Sequence, residues 1–209
     1  MDQPVQQKSP KTFSDFLRAR FKGILDPIGA FLNKLGVTPN AMTLLGLFGH
    51  IGAAYLLARG EMVWGGVVVL VMGPFDALDG TMARLRGKVS RFGGFLDSVV
   101  DRYAELFLLG GLLFYYLQQP QWLPVLLVYA AAAGSVMVSY TRSRGETAGF
   151  KVTSGIMTRV ERYIVIVLSL LVNLPIIALW ILAILGNLTA LQRIWLVRKQ
   201  AASENDLIQ

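Results

Sequence analysis

The sequence predicts an all-α, polytopic membrane protein: six transmembrane helices preceded by an amphipathic helix that lies on the membrane surface. Three observations predict it. Apolar residues make up 54% of the 209-residue chain and charged residues only 16%. The apolar residues come in blocks close to the ~20 residues that a spanning helix requires. Lys and Arg gather in alternate connections between those blocks, the asymmetry that orients membrane proteins. A soluble fold of this size does not carry such blocks, and the net charge of +7 suits a membrane face better than nucleic acid. The chain has no cysteine, which excludes disulfides and thiolate metal sites.

Residues 1–11 read as a polar tail, without the apolar core or cleavage site of a secretory signal. In 12–35, Phe13, Phe16, Leu17, Phe21, Ile24 and Leu25 recur at helical spacing with Arg18, Arg20 and Lys22 between them, the pattern of an interfacial helix. The six spans cover 40–58, 63–83, 95–117, 122–141, 160–174 and 175–197, with Asn173 and Pro175 marking the last turn. They form one membrane domain, 12–198, followed by a polar tail, 199–209. Lys8, Lys11, Arg18, Arg20, Lys22 and Lys34 precede the first span. Arg84, Arg86, Lys88 and Arg91 separate spans two and three, Arg142, Arg144 and Lys151 separate four and five, and Arg198 and Lys199 follow the sixth. The opposite connections hold only Arg59, so both termini face the cytoplasm across the cell membrane. Trp64, Trp122 and Trp195 fall near span ends as an aromatic belt, while His50 and Trp180 read as ordinary packing. The small residues between Tyr129 and Gly134 give span four a close-packing face.

Spans two and three carry carboxylates that a bilayer does not tolerate idly. Asp76 and Asp79 are spaced i, i+3, and Asp97 and Asp101 are spaced i, i+4, so each pair projects from one face of its helix. An Asp at a helix centre costs ~2.5–3.5 kcal/mol on insertion scales, so four of them demand compensation. If the two helices pack antiparallel, the four converge into a cluster of hard oxygen anions suited to Mg²⁺ or a similar ion. A salt-bridge network with Arg84, Arg91 and Arg102 is one alternative, and a cation transport pathway is another. Against the second, no charge follows Glu105 in 106–117, so the polar site is one-sided. Glu105, one turn past Asp101, reads as support for the cluster rather than a ligand.

The segment from Asp76 through Asp79, Gly80, Ala83, Arg84, Gly93 and Asp97 to Asp101 resembles the signature of the CDP-alcohol phosphotransferases, D-x2-D-G-x2-A-R-x8-G-x3-D-x3-D, at every fixed position. Eight fixed positions at roughly one chance in 15 agree by accident about once in 10⁹. The stretch from Thr38 through Pro39 and Asn40 to Thr43 is similar to the family's approach to its first span. The resemblance implies an enzyme that moves a phosphatidyl group from a CDP-linked lipid, CDP-diacylglycerol or an ether-lipid equivalent, to an alcohol, releasing CMP. It implies that Asp76, Asp79, Asp97 and Asp101 are metal ligands for Mg²⁺ or Mn²⁺, two ions in all, with Asp101 also the general base. It places the CDP-lipid near Thr38, Pro39, Asn40, Ala41, Gly80, Arg84 and Ser90, and implies a homodimer.

A second group of cations bears on the acceptor. Arg142 and Arg144 end span four, Arg159 and Arg162 open span five, and Arg193 lies toward the cytoplasmic end of span six. Guanidinium groups suit phosphate oxygens, so a phosphorylated alcohol is the expected acceptor. The positive-inside rule explains any one of these arginines equally well. The stretches Ser139–Arg144, Arg159–Arg162 and Gln192-Arg193 resemble the phosphatidylinositol-phosphate synthases and their archaeal ether-lipid relatives, although Thr141 and Gly145 depart from the pattern. By that resemblance Arg142, Arg144, Arg159 and Arg193 bind the phosphate of inositol phosphate, with glycerol 3-phosphate, the acceptor of phosphatidylglycerophosphate synthases, as the alternative.

Overall fold

The computed structural model describes residues 13–87 and 90–203, with side chains from residue 22 onward. The tail at 1–11, Lys88, the apolar face at Phe13–Phe21 and the last six residues lie outside what is described. Every regular element among the described residues is helical: α1 (Phe13–Lys34), α2 (Pro39–Ala58), α3 (Met62–Leu85), α4 (Arg91–Leu117), α5 (Trp122–Thr147) and α6 (Arg159–Leu171). A final continuous helix follows as α7 (Pro175–Ile181), a π-helical stretch (Leu182–Gly186) and α8 (Asn187–Ser203), so it runs past the expected boundary at 198.

Local chemistry sets the boundaries. Thr38 caps α2, its hydroxyl accepting from the Ala41 N–H at 3.2 Å, with Pro39 in the first turn, where its missing N–H costs nothing. Ser90 caps α4 by accepting from the Gly93 N–H at 2.9 Å. Asn173 takes a left-handed backbone (φ 57°) ahead of Pro175, which ends α6 and starts α7 as the sequence predicts.

Among the described residues, four helices are long and apolar enough to cross a membrane: Pro39–Ala58, Met62–Leu85, Trp122–Thr147 and Pro175–Ser203. This falls short of the expected six. At 27 residues α4 has the length, but Asp97, Asp101, Arg102 and Glu105 interrupt its apolar run. At 13 residues α6 spans ~20 Å at 1.5 Å per residue, less than the ~30 Å hydrocarbon layer.

In lipid, packing and buried hydrogen bonds rather than hydrophobicity hold helices together. α2 packs along both α3 and α4, and at Gly111 the α4 backbone rests on the α2 backbone at Ala54. α5 packs on α8 and the π-helical stretch, where Asn187 Nδ2 donates to the Ala130 carbonyl at 2.9 Å beside Gly134. The small-residue face of α5 is therefore used within the chain. Ala53, Leu57, Val69, Leu112, Leu170 and Leu179 fill the core between these pairs. α1 is anchored by its second half: Arg86 donates to Asn33 Oδ1 and to the Val37 carbonyl, both at 2.6 Å, and Asn33 Nδ2 donates to the Met82 carbonyl at 3.1 Å. Its Ile24, Ile28 and Phe31 remain exposed.

Candidate metal and phosphate site

The second half of α3 contains Pro74, which removes one helix hydrogen bond just before Asp76. Gly73 leaves room there for the ring of Tyr163, whose hydroxyl donates to the Val69 carbonyl at 2.6 Å. That contact docks α6 against α3 and brings the start of α6 to the aspartates.

Asp76 of α3 and Asp97 and Asp101 of α4 each offer a carboxylate oxygen within 4.8 Å of the others. Asp79, expected as the fourth member, falls outside this group: one turn past Asp76, it is buried and accepts a 2.6 Å hydrogen bond from Thr43 of α2. Arg159 grips Asp76 with two hydrogen bonds, at 2.9 and 3.1 Å, and also pairs with Asp101. Arg102 pairs with Asp101 from the other side at 3.2 Å. Of the arginines that could neutralise the cluster from the sequence, only Arg102 does so. Arg84 instead donates to Thr81 at 2.9 Å, and Arg159, which the sequence assigns to the acceptor phosphate, takes its place. Among the described residues two guanidinium groups thus face four aspartates, which leaves about the charge of one divalent cation. Asp97 Oδ1 is moreover buried without a hydrogen-bond partner, a costly state for a carboxylate oxygen. An unpaired oxygen within a hard carboxylate donor set fits Mg²⁺ or Mn²⁺.

One turn past Asp101, Glu105 is paired with Arg162 at 2.8 and 3.0 Å, and Arg162 is 2% exposed. Both charges are satisfied by each other, so the pair braces α4 against α6, in keeping with a supporting role for Glu105. His50 makes only an intrahelical contact to the Gly46 carbonyl at 2.7 Å.

The expected CDP-lipid residues occupy two helix starts and one helix face. Thr38 and Ser90 serve as caps, and a methyl group placed on Gly93 would sit 2.9 Å from Ser90 Oγ and 3.4 Å from Asn40 Oδ1. The N-termini of α2 and α4 therefore lie side by side, and helix N-termini favour anions. On α3, Gly80 leaves its helix face open next to the Arg84 guanidinium.

The four acceptor arginines do not form one open surface. Arg142 and Arg144 stand exposed at the end of α5, Arg142 pairing with Glu146 at 2.8 Å. Arg159 is held by the aspartates. Arg193 is 2% exposed and donates to the carbonyls of Val138 (2.5 Å) and Ser154 (3.2 Å). With Gln192 and Gln200, which bond to the backbone of Ile156 and Lys151, it straps the connection between α5 and α6 onto α8.

Residues 36–195 match the family model for CDP-alcohol phosphatidyltransferases. The chain belongs to that family. This phosphatidyltransferase is 38% identical over 204 residues to a phosphatidylinositol phosphate synthase of Streptomyces avermitilis, covering 90% of this chain and 83% of the relative. It is 37% identical over 185 residues to an archaetidylinositol phosphate synthase of Pyrococcus horikoshii, covering 88% and 96%. The phosphatidylinositol phosphate synthase of Mycobacterium tuberculosis, solved with CDP-DAG bound, superposes with a TM-score of 0.78 at 31% identity over 83% of this chain and 93% of that one. The same protein solved with manganese and citrate gives the same TM-score, with 88% of that chain covered. The phosphatidyltransferase is thus a metal-dependent, membrane-bound enzyme by family.

Proposed function

We propose that the chain transfers the phosphatidyl group of CDP-diacylglycerol, or of an ether-lipid equivalent, to a hydroxyl of inositol phosphate and releases CMP. The observation that carries this is the convergence of Asp76, Asp97 and Asp101, with Asp97 Oδ1 buried and unpaired, inside a family of CDP-alcohol phosphatidyltransferases. The acceptor follows from the relatives named for inositol phosphate products and from Arg142 and Arg144, which stand exposed near the cluster's side of the fold.

In this reading Asp101 takes the proton from the acceptor hydroxyl, whose oxygen bonds to the lipid-bearing phosphorus as the bond to CMP breaks. Arg102 and Arg159 flank Asp101 and hold its carboxylate toward the reacting face. One or two Mg²⁺ or Mn²⁺ ions on Asp76, Asp79, Asp97 and Asp101 would draw charge from the pyrophosphate and stabilise the departing CMP. The α2 and α4 N-termini, with Gly80 and Arg84, receive the nucleotide. The exposed apolar residues of α1 rest in the membrane surface, α4 makes a fifth crossing and the short α6 a partial sixth, and the site faces the cytoplasm. The homodimer rests on the family resemblance.

The test is an acceptor screen with purified protein, CDP-diacylglycerol or CDP-archaeol, and inositol 1-phosphate, glycerol 3-phosphate, free inositol or serine, following CMP. Inositol 1-phosphate is expected to be used best. If glycerol 3-phosphate wins, a phosphate site stands without the inositol assignment; if serine or free inositol wins, the arginines do not read a phosphate.

A further inference from the structure

Thr43 lies one turn past Asn40 in α2, buried, with its hydroxyl 2.6 Å from Asp79 Oδ2 and 3.1 Å from the Pro39 carbonyl oxygen. A hydroxyl has one proton to donate. The carboxylate is both nearer and charged, and charge-assisted hydrogen bonds are the stronger ones, so the proton points to Asp79. The Pro39 carbonyl loses nothing, because the helix ladder already offers it the backbone N–H of Thr43. Asp79 itself is 6% exposed, so its orientation is set by what it touches inside the protein.

We propose that Thr43 is a positioning residue for the metal site: its hydroxyl fixes the Asp79 carboxylate so that α3 presents it to the same ion as Asp76, Asp97 and Asp101. This rests on the metal reading above. It also ties the α2 end that receives the nucleotide to a ligand on α3 through one hydrogen bond between residues 36 apart in sequence. The rival role is plain helix packing, since threonines also join helices in lipid.

Thr43→Val keeps the shape and removes the donor. With the full chain purified in detergent, Mn²⁺ binding followed by loss of the free-ion EPR signal is expected to weaken about 10- to 100-fold, as for other groups that orient metal ligands. The half-saturating Mn²⁺ concentration for turnover should rise by the same factor, while kcat at saturating Mn²⁺ stays near the parent value. Thr43→Ser, which restores the hydroxyl, should return the affinity. Thr43→Ala gives the same reading should the valine variant fold poorly. A Thr43→Val protein that binds Mn²⁺ like the parent and only melts at a lower temperature overturns the proposal in favour of packing. A parent protein that binds no Mn²⁺ removes the metal reading itself, a result that requires no variant, and takes this inference with it.

Discussion

The carboxylates of α3 and α4 and the arginines of α5, α6 and α8 meet at the same end of the molecule, but they are held in different ways. The carboxylates are short side chains on two adjacent helices joined by a brief connection. Their i, i+3 and i, i+4 spacing determines which way they point before any tertiary contact forms. The arginines are long, lie on three helices, and each has found something different: Arg159 the aspartates, Arg162 a glutamate, Arg193 two backbone carbonyls, Arg142 its neighbour Glu146. Short ligands on a rigid frame make a site; long cations on the same frame divide between binding and bracing.

The strongest way to break this comparison is to remove the ion. Chelation with EDTA is expected to abolish CMP release, and Mg²⁺ or Mn²⁺ to restore it; full turnover in thoroughly chelated protein would show that the four aspartates serve only as a charge network. Next comes Asp101→Asn. It keeps the shape and the Arg102 contact but cannot accept the proton, so turnover should fall ~10²- to 10⁴-fold with an unchanged melting temperature. Retention of more than roughly a tenth of the activity would place the base elsewhere.

The other two predictions sharpen the arginine half. Arg193→Ala removes a charged donor from the Val138 and Ser154 carbonyls, at a cost of ~1.5–3 kcal/mol for the lost charge-assisted hydrogen bonds, although the Val138 carbonyl keeps the Thr141 hydroxyl. The variant should melt several degrees lower, and its acceptor KM should change little once it is folded. A large KM increase without a melting shift would return Arg193 to the phosphate. The smallest effect is expected from Arg144→Ala, exposed on α5: stability unchanged, and the KM for inositol 1-phosphate raised roughly tenfold, as for one lost hydrogen bond to a charged group. An unchanged KM would leave Arg144 as a topology signal only.

How much of this was legible in the sequence follows the same division. The helix order, the turn at Asn173 and Pro175, the carboxylate cluster and the family were all readable. They rest on local spacing, on Gly and Pro, and on a fixed pattern of short side chains. The number of crossings was less so, because hydropathy alone does not show that α6 stops at Leu171 or that the charges of α4 face its neighbours. The partners of Arg159, Arg162 and Arg193 were not legible, since what a guanidinium reaches depends on which helix packs beside it. Thr43 stood in plain view within the Thr38–Thr43 stretch, but its partner lies on another helix. The one available signal was its place one turn past Asn40, on the face that α3 covers.

The π-helical stretch at Leu182–Gly186 has a consequence for how the last helix can change over time. A π turn holds one more residue than an α turn, and one residue is worth about 100° of rotation around the axis. Everything after Gly186 is therefore rotated by that amount relative to a plain continuation of α7. Remove a single residue from the stretch, and the helix straightens while Thr189, Arg193 and Gln200 keep the face with which they clasp the connection. The extra residue is slack held in one turn, and a one-residue deletion there should be far better tolerated than a one-residue deletion in α8 before Arg193, which turns the clasping side chains by about 100°.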